Sequence, residues 1–137
     1  MSTRTYIAPL VGMHFRPPAK ALVGVLPVGT SLQLVPEPEN PYDVNAVRVE
    51  VSGEVLREIC ENTAARSNLE MQLEGFGESI ESVLSAEVWH LGYVESSKTK
   101  SAERFAKVLA GEARECTFGL DAAGKPRVVL EAQSTEE

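Results

Sequence analysis

Glu37-Pro38-Glu39-Asn40-Pro41-Tyr42-Asp43-Val44-Asn45-Ala46, continuing into Val47-Arg48-Val49-Glu50-Val51, joins a sharply specified turn to a strand. Pro41 fixes its own φ and pushes Asn40 out of the helical region, so the chain turns here. Asp43 and Asn45 carry short polar side chains that bond backbone groups two residues on. From Ala46 to Val51, small or apolar residues alternate with others at period two, the pattern of a half-buried strand. A rigid turn therefore presents a Tyr, an Asn and an Asp at a sheet edge.

Outward from this point the chain reads as mostly β. Residues 5–15 and 30–35 have strand character and are separated by a connection punctuated by Pro17, Pro18, Gly24, Pro27 and Gly29. Residues 54–65 are rich in helix formers, with Val55, Leu56, Ile59 and Cys60 on one face, and residues 67–73 continue that helix or begin a second. Gly75-Phe76-Gly77 breaks it. Residues 83–94 read as a strand that puts Trp89 and Tyr93 on one core-facing side and His90 on the other. Residues 101–109 read as a helix with Phe105, Val108 and Leu109 inward and Gly111 near its C-terminal cap. Residues 115–120 and 127–132 form a hairpin about Asp121-Ala122-Ala123-Gly124, and the polar tail 133–137 is expected to fray.

The 137 residues, 43% of them hydrophobic, suit one domain around one core. No stretch approaches the roughly 20 apolar residues of a membrane span, and the N-terminus lacks an apolar signal core, so a cytoplasmic location is expected. Cys60 and Cys116 lie far apart without paired-ligand spacing and read as buried, reduced thiols. Catalysis is not expected either. His14 and His90 are isolated, no Gly-x-Ser-x-Gly turn exists, and Gly75-Phe76-Gly77 is too short to cradle phosphate, so neither metal nor cofactor is implied.

Three blocks, Leu10-Val11-Gly12-Met13-His14-Phe15, the Asn40-Pro41-Tyr42-Asp43-Val44-Asn45-Ala46 turn, and Leu91-Gly92-Tyr93-Val94 before a helix-like segment, together resemble the HIRAN domain family. The central block is the specific one. The resemblance implies a mainly β or α+β fold, a small OB/SH3-like β-barrel of about six strands with one or two flanking helices. HIRAN domains occur fused to SWI/SNF-type helicases that remodel stalled replication forks, and as short stand-alone bacterial or phage proteins, which this chain is similar to. A known binding mode in the family is a grip on the 3′ end of single-stranded DNA. By that resemblance the site residues are His14, Phe15, Asn40, Tyr42, Asp43 and Tyr93. Phe15 and Tyr42 would stack bases, His14 would bond a phosphate, and the Asp43 carboxylate would accept from a 3′ hydroxyl or a base amine.

Packing offers a second reading for several of these: Tyr42 and Phe15 beneath the turn, Asp43 and Asn45 as turn braces, Tyr93 beside Trp89 in the core. Where relatives carry a basic residue after Gly-Tyr-Val, this chain has Glu95-Ser96-Ser97 and reaches a cation only at Lys98, so Lys98 is the candidate phosphate contact. Lys98, Lys100, Arg104 and Lys107 form an alternative basic edge that Glu95 and Glu103 dilute.

A second departure is the long passage 52–90 between the turn's strand and the Gly-Tyr-Val strand, read as an acidic, partly helical insertion. It holds eight carboxylates against two guanidiniums, nearly all of the formal net charge of −7. The remaining chain is close to neutral, so a basic side on the barrel would still attract phosphates. Two functions follow as expectations: a non-catalytic module binding single-stranded DNA or a DNA 3′ end, or a protein-interaction module, plausibly phage-encoded, whose acidic insertion docks on or inhibits a host nucleic-acid enzyme.

Overall fold

Alternation of apolar residues turns one face of six strands inward. In the computed structural model, which describes residues 3–13, 17–96 and 98–133, they are β1 (Thr3–Val11), β2 (Ser31–Pro36), β3 (Val47–Ser52), β4 (Val88–Val94), β5 (Arg114–Leu120) and β6 (Pro126–Gln133). The strands close an antiparallel barrel in the order β1-β4-β3-β2-β5-β6. Ala8 and Leu10, Leu32 and Leu34, Val47, Val49 and Val51, Leu91 and Val94, Cys116 and Phe118, and Val128 and Leu130 fill it, all buried. This is the small OB-like α+β barrel that the family resemblance implies. Among the described residues it carries five helices rather than one or two: α1 (Pro17–Val25), α2 (Gly53–Ile59), α3 (Thr63–Glu74), α4 (Ile80–Ser85) and α5 (Ser101–Leu109).

The additional helices have local causes. Pro17 and Pro18 open α1, where a missing N–H costs no intrahelical bond, and Ala19, Ala21 and Leu22 supply a small buried face. Residues 54–65 do not form one helix. Asn62 accepts from the Ala65 N–H at 3.0 Å and starts α3 afresh after a break at residues 60–62. Residues 83–85 are helical rather than extended, because the Ser79 hydroxyl accepts from the Ser82 N–H at 3.2 Å and starts a short helix that buries Ile80 and Val83. The strand then begins at Val88. The terminal hairpin and α5 follow the expected boundaries, and α5 sets Phe105 edge-on against Tyr6 with ring centroids 6.2 Å apart.

Helices α2 to α4 occupy most of the acidic passage. Leu56, Leu69, Leu73, Ile80 and Val83 join the same buried cluster as the barrel strands, while seven of the eight carboxylates are exposed. Each fully buried aliphatic side chain contributes about 1.5–3 kcal/mol, whereas interactions between exposed charges are worth less than about 1 kcal/mol. Apolar burial therefore outweighs carboxylate repulsion, and the passage is seated on the barrel. Cys60 and Cys116 are buried free thiols; burial pushes the Cys116 pKa up to about 12.

One irregularity changes which face β4 shows. Val49 pairs with Gly92 but the next residue, Glu50, pairs with His90, so Leu91 is the extra residue of a β-bulge. The bulge reverses the alternation beyond it. His90 and Tyr93 both stand outside, opposite Glu50 and Arg48, and their rings meet edge to face at 4.9 Å and 82°. Trp89 keeps to the core side, donating its indole N–H to the Val83 carbonyl at 2.9 Å. The placement of Tyr93 beside Trp89 in the core is thereby corrected, because simple period two does not survive a bulge.

The bulge also lets β1 approach closely. A Cβ on Gly92 would collide with the Val11 carbonyl oxygen, a backbone atom that cannot rotate away. Substituting Gly92→Ala should therefore lower stability by about 3 kcal/mol, at the upper end of overpacking costs, measured by urea unfolding; an unchanged midpoint would contradict this packing.

Candidate nucleic-acid interface

The turn after β2 is built by its own side chains. Asn40 Oδ1 accepts from the backbone N–H groups of Tyr42 at 2.9 Å and Asp43 at 3.2 Å, and Asp43 Oδ1 accepts from that of Asn45 at 2.9 Å. Asn40 and Asp43, rather than Asp43 and Asn45, are the braces. Backbone bonds from Ala46 to Asp43 and from Glu37 to Ala46 close the loop. Tyr42 itself is 94% exposed. It does not pack beneath the turn.

Beside the turn lies an open cleft of about 510 Å³. One wall is the turn itself, with Asn40, Pro41, Tyr42 and Asp43; the other is the end of β1 at Val11 and Gly12, together with Tyr93, Val94 and Ser96. Gly12 leaves β1 with φ +86, a conformation open to glycine, and Tyr93 is the nearest atom set to the missing Cβ at 3.9 Å. Four of the candidates named from the sequence, Asn40, Tyr42, Asp43 and Tyr93, thus share one cleft. Lys98 lies in a neighbouring groove. His14 and Phe15 lie outside the described residues.

Glu37 organises the site, and the sequence reading did not single it out. Its Oε1 accepts from Asn40 Nδ2 at 2.9 Å and from the Tyr93 hydroxyl at 3.0 Å, and its Oε2 pairs with the Arg48 guanidinium at 2.8 Å. Arg48 also pairs with Glu50 at 2.6 Å. One carboxylate thus ties the turn to β3 and β4. The available signal was a period-two pattern that pointed Arg48 outward beside the turn, three residues after Asn45. Burial raises the Glu37 pKa, but the bonds from Asn40, Tyr93 and Arg48, with the Arg48 charge, outweigh it and hold the carboxyl below its ordinary value. His90 Nε2 lies 3.0 Å from the Gly92 carbonyl, which places a proton on that nitrogen, and the ring braces Tyr93.

The cations near the cleft differ in availability. Arg104 bonds the Thr99 carbonyl at 3.3 Å and the Ser101 hydroxyl at 3.2 Å, so the basic edge considered along α5 has one guanidinium already engaged. Glu95, at the position where a basic residue was expected from the resemblance, is buried and accepts from the Lys98 N–H at 2.8 Å and 3.1 Å. It orders the loop that carries Lys98. Chemically, the cleft offers an exposed ring for stacking, a carboxylate oxygen of Asp43 beyond the one used in the turn, and apolar walls.

Replacing Glu37 with Gln should cost about 2 kcal/mol at neutral pH, the scale of a charged hydrogen bond removed from a partly buried group. Since the folded pKa lies below the ordinary 4.5, the contribution of the charge is complete above that value and lost as pH falls through the folded pKa. The stability gap between the two proteins should therefore begin to close as pH falls below about 4.5 and be lost below the folded pKa, and a gap independent of pH would show that the charge is not what matters.

No helix among the described residues is long and apolar enough to cross a membrane. No curated protein and no solved structure matches the chain. The family model for the HIRAN domain matches residues 4–74, a span that takes in β1, the turn and the helices through α3 and ends before β4. Since that span covers more than half of the chain and lies on the same barrel and turn, this protein belongs to the HIRAN domain family, whose DNA-binding character supports nucleic-acid binding here.

Proposed function

We propose that the chain is a non-catalytic module that takes the 3′ end of single-stranded DNA in the cleft between the 40–43 turn and the end of β1. The observation that carries the reading is the pairing of a fully presented Tyr42 ring with the Asp43 carboxylate on one rigid wall. Base stacking on an aromatic is sequence-tolerant and worth about 1–3 kcal/mol per base. A carboxylate accepts from a terminal hydroxyl but repels a continuing phosphate, so it favours an end over an internal position. Tyr93, held through Glu37 and His90, forms the second aromatic wall, and the shared network keeps the two rings in register.

Fluorescence anisotropy at low salt, with short oligonucleotides ending in a 3′ hydroxyl or a 3′ phosphate, tests this. Binding should be lost when the 3′ end is phosphorylated. Tyr42→Ala should weaken it by about tenfold or more, in keeping with one stacked base, and Asp43→Asn should erase the preference for the free hydroxyl. Equal binding to both ends would sink the reading.

A second reading rests on the acidic helical face. Met71 is 71% exposed and Phe76 50% exposed beside Glu70, Glu74 and the 75–77 break, and apolar side chains rimmed by carboxylates suit a basic protein surface. If that face docks a nucleic-acid enzyme, reversing Glu70, Glu74 and Glu81 to Lys should abolish inhibition or co-purification of that enzyme while leaving oligonucleotide binding unchanged; intact association would remove this reading.

A further inference from the structure

On the far side of Val11 and Gly12 from the end-binding cleft runs a second groove, of about 460 Å³. The two share Val11 and Gly12 as a common wall, so the grooves adjoin. Its apolar lining includes Leu10 at the end of β1 and Met13 just beyond it. Its rims come from two different loops: Glu95, Lys98 and Thr99 after β4, and the β5–β6 hairpin, carrying Asp121 and Lys125.

The charges along these rims are arranged unequally. Glu95 and Asp121 both line the groove, but each is engaged by the backbone of its own loop. The Glu95 carboxylate accepts from the N–H groups of Lys98 at 2.8 Å and 3.1 Å and of Thr99 at 3.4 Å. Asp121 Oδ1 accepts from those of Ala123 at 2.8 Å and Lys125 at 2.9 Å. Among the described residues neither carboxylate lies within ion-pair distance of a lysine ammonium, although the Lys125 charge is near enough to Asp121 to help lower its pKa. Arg127, one residue beyond Pro126, has a buried Nε without a partner and adds its charge beside Asp121. The two acids thus shape the loops, and the two exposed ammoniums face the groove from opposite rims.

We propose that this groove is a second subsite for the same DNA strand, in which Lys98 and Lys125 hold the phosphodiester backbone of the nucleotides that precede the bound 3′ end. The inference rests on the end-binding reading and extends it: the first cleft selects the terminus, and the second takes phosphate without reading bases. It accounts for how a chain of net negative charge, with a carboxylate in its terminal cleft, gains electrostatic affinity. The favourable charge sits one step away from the hydroxyl-reading Asp43, where it does not attract a terminal phosphate into the cleft.

The test compares a dinucleotide with a hexanucleotide, both with free 3′ hydroxyls, on the full chain by anisotropy across a salt series. The wild-type protein should bind the hexamer more tightly, by about tenfold, and with a steeper salt dependence, each phosphate contact on a single strand adding about 0.7 to the slope. The double variant K98A/K125A should lose the gain with length, Lys125→Ala alone should bind the dinucleotide as the wild type does, and Lys125→Arg in place of Lys125→Ala should restore part of the gain. Both lysines are exposed, and an unchanged melting curve verifies the fold of each variant. A double variant that keeps the full gain with length overturns the second subsite and leaves end binding standing. A wild-type protein that binds dinucleotide and hexanucleotide equally overturns it as well, and one that binds neither overturns both readings.

Discussion

The barrel closes through two residue pairs, Leu10 with Val94 and Val11 with Tyr93, whereas β1 runs alongside β6 for seven. That short seam depends on Gly92, because any side chain there would meet the Val11 carbonyl oxygen. It depends also on the bulge at Leu91, which shifts β4 by one residue so that Gly92 rather than a larger residue faces the seam. Past Val11 the two strands part, β1 turning away at Gly12. The opening they leave is the wall shared by both grooves. Closure of the fold and the opening of the cleft are consequences of one close approach.

The same bulge determines the electrostatics of the site. By turning Tyr93 and His90 outward it brings the Tyr93 hydroxyl to Glu37, and through Glu37 to Asn40 and Arg48. The network is partly buried, where charge-assisted bonds are stronger than at a free surface and a missing partner costs more. A turn fixed only by its own Asx bonds would be rigid but free to swing on its ends. Tied to two strands, the turn carries Tyr42 at a fixed place on the surface without covering it.

Net charge is spatially divided. Most of the excess carboxylates sit on the exposed sides of α2 to α4, and the acids that line the two grooves are engaged by backbone N–H groups or by the turn they stabilise. Global acidity therefore describes the helical side of the molecule and says little about the barrel end where the strands part. Family membership supports nucleic-acid binding, and the helical layer lies within the same hydrophobic cluster that supports the barrel.

Local sequence determined a good deal of this. The Asn-Pro-Tyr-Asp turn, the alternation of β3, the α5 helix and the terminal hairpin all follow from steric and hydrogen-bonding preferences that act over a few residues, and each stands where it was expected. The barrel class also stands as expected, but it was implied by the family resemblance rather than by any local pattern. The helix at Pro17–Val25 and the divisions at residues 60–62 and 79–80 were masked by prolines and by continuous helix-forming composition, where single capping side chains decide the outcome. Tertiary structure alone decided the rest: that Tyr93 faces outward, that Glu37 joins it to Asn40 across 53 residues of chain, and that Lys98 and Lys125 flank one groove. A bulge alters side-chain parity without altering composition, and a carboxylate finds its partners only when the strands that carry them are already paired, so neither is written in any local pattern.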